Sequence, residues 1–132
     1  MKLSNTLVYQ LRILLYLREH TDGLCSAKMI SEDTGVPPKY TKSCLEFLKQ
    51  HYLIMMPQMG RNGGYRLTDP DLSMSVIMKQ LVPNKIQSHI DYRNAYDLKI
   101  LLLYNLLSAE EKRFLEDLTL RDILDMKGAG EP

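Results

Sequence analysis

Three of the chain's seven glycines, Gly60, Gly63 and Gly64, fall within five residues, and an alternating Tyr65-Arg66-Leu67-Thr68 follows at once. A glycine cluster between two short apolar runs specifies a hairpin tip, because glycine supplies the positive φ that tight hairpin turns need. The run before it, "LIMMPQ", and the run after it, "YRLT", are the expected strands. Arg61 and Asn62 are the side chains that such a tip would carry.

Three helical patterns precede the hairpin. Residues 5–20, "NTLVYQLRILLYLREH", place Leu7, Leu11, Leu14, Leu15 and Leu17 on a broad apolar face, and Gly23 lies beyond the end. "SAKMISEDTG" predicts a short second helix with Ser26 as N-cap, Met29 and Ile30 facing inward, and Gly35 in a left-handed C-terminal position. The turn Gly35-Val36-Pro37 comes next. Pro38 then suits the first turn of a third helix, where its missing N–H costs nothing. In "PPKYTKSCLEFLKQ", Tyr40, Cys44, Leu45 and Leu48 recur at helical spacing, which turns Lys39, Lys42 and Ser43 outward. Two short helices joined by a tight turn, the second apolar on one side and basic on the other, make a helix-turn-helix. With the hairpin added, the expectation is a winged helix-turn-helix: mostly α with a small β-hairpin.

The remainder reads as helical. Ser73 caps "SMSVIMKQLV", which Pro83 ends. A polar connector spans residues 83–92, and a long apolar helix runs from about Asp91 to Leu107. Ser108 with Glu111 forms a capping box for another turn, and "TLRDIL" comes last. In "LKILLLYNLL", residues 98–107, apolar side chains lie nearly all round, so such a helix must be buried on most sides. A second copy of the chain can cover it; the alternative is burial within one monomer. The dimer expectation rests on Leu98, Leu102, Tyr104 and Leu106. The division expected is a DNA-binding domain over 1–82, then connector, dimerisation helix and C-terminal segment over 83–132.

Formal net charge is only +1, but its distribution is uneven. Residues 37–67 hold Lys39, Lys42, Lys49, Arg61 and Arg66 against Glu46 alone, whereas residues 91–125 hold five basic against eight acidic residues. Separation along the chain can place one basic face on a nearly neutral molecule. Several classes find no support. The glycine cluster lacks the Lys-Ser/Thr of a phosphate-binding loop, and no catalytic constellation is present, so an enzyme is not expected. The most apolar run is too short to span a bilayer and carries Lys99 and Asn105. The opening Met1-Lys2-Leu3-Ser4 leads into an amphipathic helix rather than an apolar leader, so a cytoplasmic location is expected. Cys25 and Cys44 form no disulfide framework; each reads as a small buried hydrophobe or, alternatively, as a redox thiol. His20, His51 and His89 have no ligand spacing, so no metal site and no cofactor are expected.

On these stretches — "MKLS", "YQLRILLYL", "SAKMIS", "GVPPKYTKSCLEFL", "GRNGGYRLTDP" and "TLRDIL" — the sequence resembles the Rrf-two family of bacterial regulators, the IscR, NsrR and CymR type, over nearly its whole length. The resemblance implies a dimeric winged-helix transcription factor. Its third helix would enter the major groove of double-stranded DNA, its wing the minor groove, and a long C-terminal helix would cross to the partner subunit. The expected DNA-binding residues are Lys28, Pro38, Lys39, Tyr40, Lys42, Ser43, Arg61 and Asn62, with Tyr40 open between phosphate contact and core packing. The tip is narrow enough for a minor groove about 6 Å wide. Arg61, helped by Asn62, would sense groove width there. A repressor acting as a homodimer is the function implied; a protein-binding winged helix without DNA affinity is the alternative, and a small-molecule effector or protein partner is compatible with both.

Departures from the family pattern are specific. Iron–sulfur members place three cysteines in the stretch that here reads "VPNKIQSHIDYRNAY", which has none; His89 and Asp91 are its only candidate ligands. Thiolates are the usual cluster ligands. Pro37 stands where the family often has Ser, so side-chain capping of the third helix is lost. Lys42 stands where Glu is common, so a donor suited to guanine or phosphate replaces an acceptor suited to cytosine. Cys25 replaces an apolar residue. Tyr52 replaces the usual Gly after the third helix, with no physical reason visible in the sequence.

Overall fold

The computed structural model describes residues 4–82, 96, 109–110 and 112–126. It is mostly helical with one two-stranded antiparallel sheet, in the order α1 (Asn5–Glu19), α2 (Ala27–Thr34), α3 (Pro38–Gln50), β1 (Ile54–Gln58), β2 (Gly64–Leu67), α4 (Met74–Leu81) and α5 (Leu120–Asp125). This is the winged helix-turn-helix that the sequence implies. The packing forms two units: Met1–Leu72 with Thr119–Pro132, and Ser73–Leu118.

In the first unit, α1, α2 and α3 close around Ile13, Leu14, Leu17, Ile30, Leu45 and Leu48, each at most 2% exposed. Burying each such side chain is worth roughly 1.5–3 kcal/mol. Leu120 of α5 joins the core against α1. The Ser4 hydroxyl starts α1 by accepting from the Leu7 N–H at 3.1 Å. The buried stripe of α1 differs from the leucine pattern: Gln10, Ile13 and Tyr16 are buried with Leu7, Leu14 and Leu17, whereas Leu11 and Leu15 are half-buried. The face that packs is centred on positions 7, 10, 14 and 17, and Leu11 and Leu15 lie on its flank.

Met29 does not face inward as expected; it is 43% exposed. Consecutive helix positions lie about 100° apart. The two-turn α2 buries only the stripe through Ile30, which leaves Met29 open.

The end of α3 explains Tyr52. The Tyr52 N–H donates to the Lys49 carbonyl and the Leu53 N–H to the Leu48 carbonyl, at 3.1 and 3.0 Å. This is the paired hydrogen bonding of a Schellman stop, which puts the residue after the cap in the left-handed region. Tyr52 sits there with φ 60°, at the position where glycine carries no Cβ penalty.

In the second unit, the Ser73 hydroxyl accepts from the Ser75 N–H and donates to the Leu115 carbonyl, both at 3.1 Å. The Met74 N–H donates to the Leu118 carbonyl at 2.7 Å. The start of α4 is thereby tied to residues 115–118. Back in the first unit, Thr119 and Asp122 cap α5 reciprocally, a capping box the sequence pattern did not single out because its acid is Asp rather than Glu. Of the expected long apolar helix only Tyr96 is described, helical and 74% exposed; Leu98, Leu102, Tyr104 and Leu106 and the Ser108–Glu111 box lie outside the described residues.

Candidate nucleic-acid interface

The turn between α2 and α3 is held by hydroxyls. Val36 is buried, and its carbonyl accepts from Ser31 Oγ at 2.7 Å and Thr41 Oγ1 at 3.0 Å. Thr34 Oγ1 donates to the Ile30 carbonyl at 2.5 Å and accepts from the Val36 N–H at 3.3 Å. Gly35 takes φ 74° as the left-handed cap of α2. Three hydroxyls around one buried residue set the angle at which α3 leaves α2. Neither Ser31 nor Thr41 was singled out from the sequence. Their only signal was small polar residues on otherwise apolar helix faces.

α3 begins as its two prolines dictate. Pro37 is the N-cap without a side-chain cap bond, and Pro38 opens the helix. The Pro37 carbonyl accepts from the Thr41 N–H at 2.8 Å. Thr41, Cys44, Leu45 and Leu48 face inward. Pro38, Lys39, Tyr40, Lys42 and Ser43 are exposed on the first turns, and Ser43 Oγ donates to the Lys39 carbonyl at 3.3 Å. Tyr40 does not share the buried face of Cys44, Leu45 and Leu48: it is 50% exposed, with its ring tilted against Tyr9 at 5.6 Å, and Thr41 takes the inward position instead. Arg12 lies 5.6 Å above the Tyr9 ring and donates to the Thr34 carbonyl at 3.1 Å. One column, Arg12–Tyr9–Tyr40, thus ties α1 to the end of α2 and the start of α3. Lys28 is exposed near the start of α2, where Ser26 Oγ accepts from the Met29 N–H at 3.1 Å.

The wing pairs Ile54 with Leu67, Met55 with Arg66 and Gln58 with Gly64, with a register shift between Met55 and Gln58. Pro57, which has no N–H to donate, falls within the shift. The tip closes as a turn from Gly60 to Gly63, whose N–H donates back to the Gly60 carbonyl at 3.0 Å. Only part of the glycine expectation concerns φ. Gly60 has φ 95°. Gly63 is required because a Cβ there would stand 2.1 Å from the Gln58 carbonyl oxygen. Gly64 has a further role that the sequence did not disclose. Its Cα lies against the Cys25 backbone, where a Cβ would approach to 2.7 Å, and Cys25 and Tyr65 exchange backbone hydrogen bonds of 3.0 and 2.8 Å. The base of the wing is therefore pinned to the segment that leads into α2. Arg61 and Asn62 are exposed at the tip. All eight expected site residues are exposed, five of them together on α3, with Lys28 and the Arg61–Asn62 pair on separate elements.

Cys25 and Cys44 are buried. Burial pushes both thiols above their ordinary range, and for Cys25 a hydrogen bond with Tyr16 offsets part of the rise. Burial, then a 2.7 Å hydrogen bond to Asp33, keeps the Tyr16 phenol protonated well above its usual range.

The sequence matches the Rrf2 family model, described as an iron-dependent transcriptional regulator, over residues 3–126. No curated protein sequence matches. Among solved structures, IscR of T. potens has a TM-score of 0.71 at 20% identity, covering 98% of this chain and 94% of that one. CymR (YrzC), the global cysteine regulator of B. subtilis, has a TM-score of 0.71 at 21% identity, covering 97% and 99%. The oxidized form of S. aureus CymR has a TM-score of 0.68 at 23% identity, covering 98% and 100%.

The family description implies iron, and the donors here do not fit a thiolate-held cluster. The chain has two cysteines, one leading into α2 and one inside α3, and burial disfavours the thiolate of each. Among the described residues no three His, Cys, Asp or Glu side chains group to hold a metal. The hydroxyl-clamped turn, the two-faced α3 and the pinned glycine wing accompany a family match that spans almost the entire sequence: the chain belongs to the Rrf2 family of transcriptional regulators.

Proposed function

We propose that this protein is a sequence-specific DNA-binding repressor that acts in the cytoplasm as a homodimer, with α3 in the major groove and the wing in the minor groove. The observation that carries this reading is the asymmetry of α3. One side is sealed into the core by Thr41, Cys44, Leu45 and Leu48. The other presents Lys39, Tyr40, Lys42 and Ser43, and neither lysine forms an ion pair with any described residue. Cations left available at the N-terminal end of a recognition helix are placed for phosphates and base edges. A winged helix that bound only protein would have no need of basic residues at those positions. No helix among the described residues is long and apolar enough to cross a membrane.

The test is selection of double-stranded DNA from a random-sequence pool by the purified protein. The reading expects an inverted repeat whose half-sites are one helical turn, or a multiple of it, apart. Recovery of no preferred sequence, together with salt-insensitive binding, would return the protein-interaction alternative.

A further inference from the structure

The wing tip carries a side chain that groove-width sensing does not use. Met59, immediately before the Gly60–Gly63 turn, is 81% exposed. A single exposed apolar residue is ordinary on a protein surface. Met59 differs in where it stands and in what surrounds it. The turn beneath it is closed by the Gly63–Gly60 hydrogen bond, and Gly63 is packed so tightly on the Gln58 carbonyl that it admits no side chain. Gln58, Arg61 and Asn62 beside it are all exposed. The tip therefore offers two amides, one cation and one long unbranched apolar chain on a narrow, fixed support.

Each of these has a counterpart in a minor groove except, at first sight, the methionine. Amides can pair with the groove-floor acceptors, adenine N3 and thymine O2. The cation is drawn by the negative potential of a narrow groove. On an A·T floor, which presents only acceptors, the thioether has no hydrogen-bond partner. It is slender, flexible and polarizable, which suits contact with aromatic rings. The faces available in a groove are those of the bases, exposed when a step opens. Proteins that enter the minor groove with Arg, Asn and Gln also insert apolar wedges, methionine among them, between base steps.

Resting on the DNA-binding reading above, we infer that Met59 is an intercalating wedge. It enters one base step under each wing, unstacks it and kinks the operator. The step it selects is pyrimidine–purine, which is the least costly to unstack. Operator preference under the wing then has two separable parts, groove width sensed by Arg61 and step flexibility sensed by Met59.

The experiment uses the full-length protein and the duplex it selects from a random pool, with 2-aminopurine substituted in turn at adenines under the wing. Unstacking raises the fluorescence of that base. Wild type should give a severalfold rise at one pyrimidine–purine step per half-site, and a bend of roughly 20–90° by energy transfer between end labels. Met59→Ala should still bind, with Kd raised by about fivefold or more, and should lose both the rise and most of the bend. Met59→Leu should restore both, and Arg61→Ala should keep the rise. Binding by wild type without a fluorescence rise, or an undiminished rise and bend with Met59→Ala, overturns the wedge and leaves DNA binding intact. Failure of wild type to bind any selected duplex overturns the wedge and the DNA-binding reading together.

Discussion

Tyr52 holds a left-handed backbone at φ 60° with a side chain 83% exposed, and nothing but the Schellman stop demands that conformation. Its carbonyl is fixed by Thr68 Oγ1 at 2.6 Å, so the position cannot relax by rotating away. A Cβ in that region costs roughly 1–2 kcal/mol. Greater freedom of glycine in the unfolded chain returns about 0.4–1 kcal/mol. Tyr52→Gly should therefore stabilise the protein by up to roughly 1.6 kcal/mol, seen as a higher urea midpoint with unchanged slope at fixed protein concentration. Tyr52→Ala keeps the Cβ and should give no comparable gain; equal stabilisation by both variants would remove strain as the cause. Cys25 and Cys44 are a second case. Their thiols are raised by burial, so the thiolate is scarce at neutral pH. Iodoacetamide should modify neither in the native protein at a rate near that of free cysteine, and both after denaturation. The sign for stability follows: as pH rises past the ordinary thiol range, unfolded thiols ionise before buried ones, so stability falls toward alkaline pH. Rapid native-state modification of Cys25 would show that its neighbourhood opens.

Several helix ends were legible from a local rule, although the Thr119–Asp122 box that opens α5 was not. Ser26, Gly35, Pro38 and Ser73 each do at a helix end what their side chain or backbone alone requires. Facts that depend on a distant partner were not legible. The buried Gln10 in α1, the exposed Met29 in α2 and the Gly64–Cys25 contact arise from which neighbour packs on which face. No spacing within a helix or turn reveals them. The same holds for Tyr9 and Arg12, which belong to the candidate site only because Tyr40 and Thr34 come to meet them. The wing expectation survives in a stiffer form, since the glycines permit close backbone packing as well as positive φ. Arg61 then stands on a fixed support. Arg61→Ala should weaken operator binding and lower the salt slope by about one per contacting wing. It should also reduce preference for A·T-rich over G·C-rich flanks while central half-site preference stays. Equal flank discrimination by wild type and variant would make Arg61 a bystander.

On the scale of the whole molecule, a repressor reading an inverted repeat requires two copies, and residues 98–107 are the stretch proposed to join them. Leu102→Glu with Leu106→Glu should convert a dimer mass in light scattering to a monomer or an insoluble chain, because a carboxylate in an apolar seam stays unpaired. A monomer mass for the folded wild type would remove the dimer. The central claim, that the open face of α3 reads DNA, is tested most directly by Lys39→Ala with Lys42→Ala, titrated against the selected duplex and against half-site variants. If either lysine contacts a base edge, the double variant loses roughly 1–3 kcal/mol or more of binding and relaxes preference within each half-site, with its fold unchanged by circular dichroism. Affinity and preference equal to wild type would contradict the account.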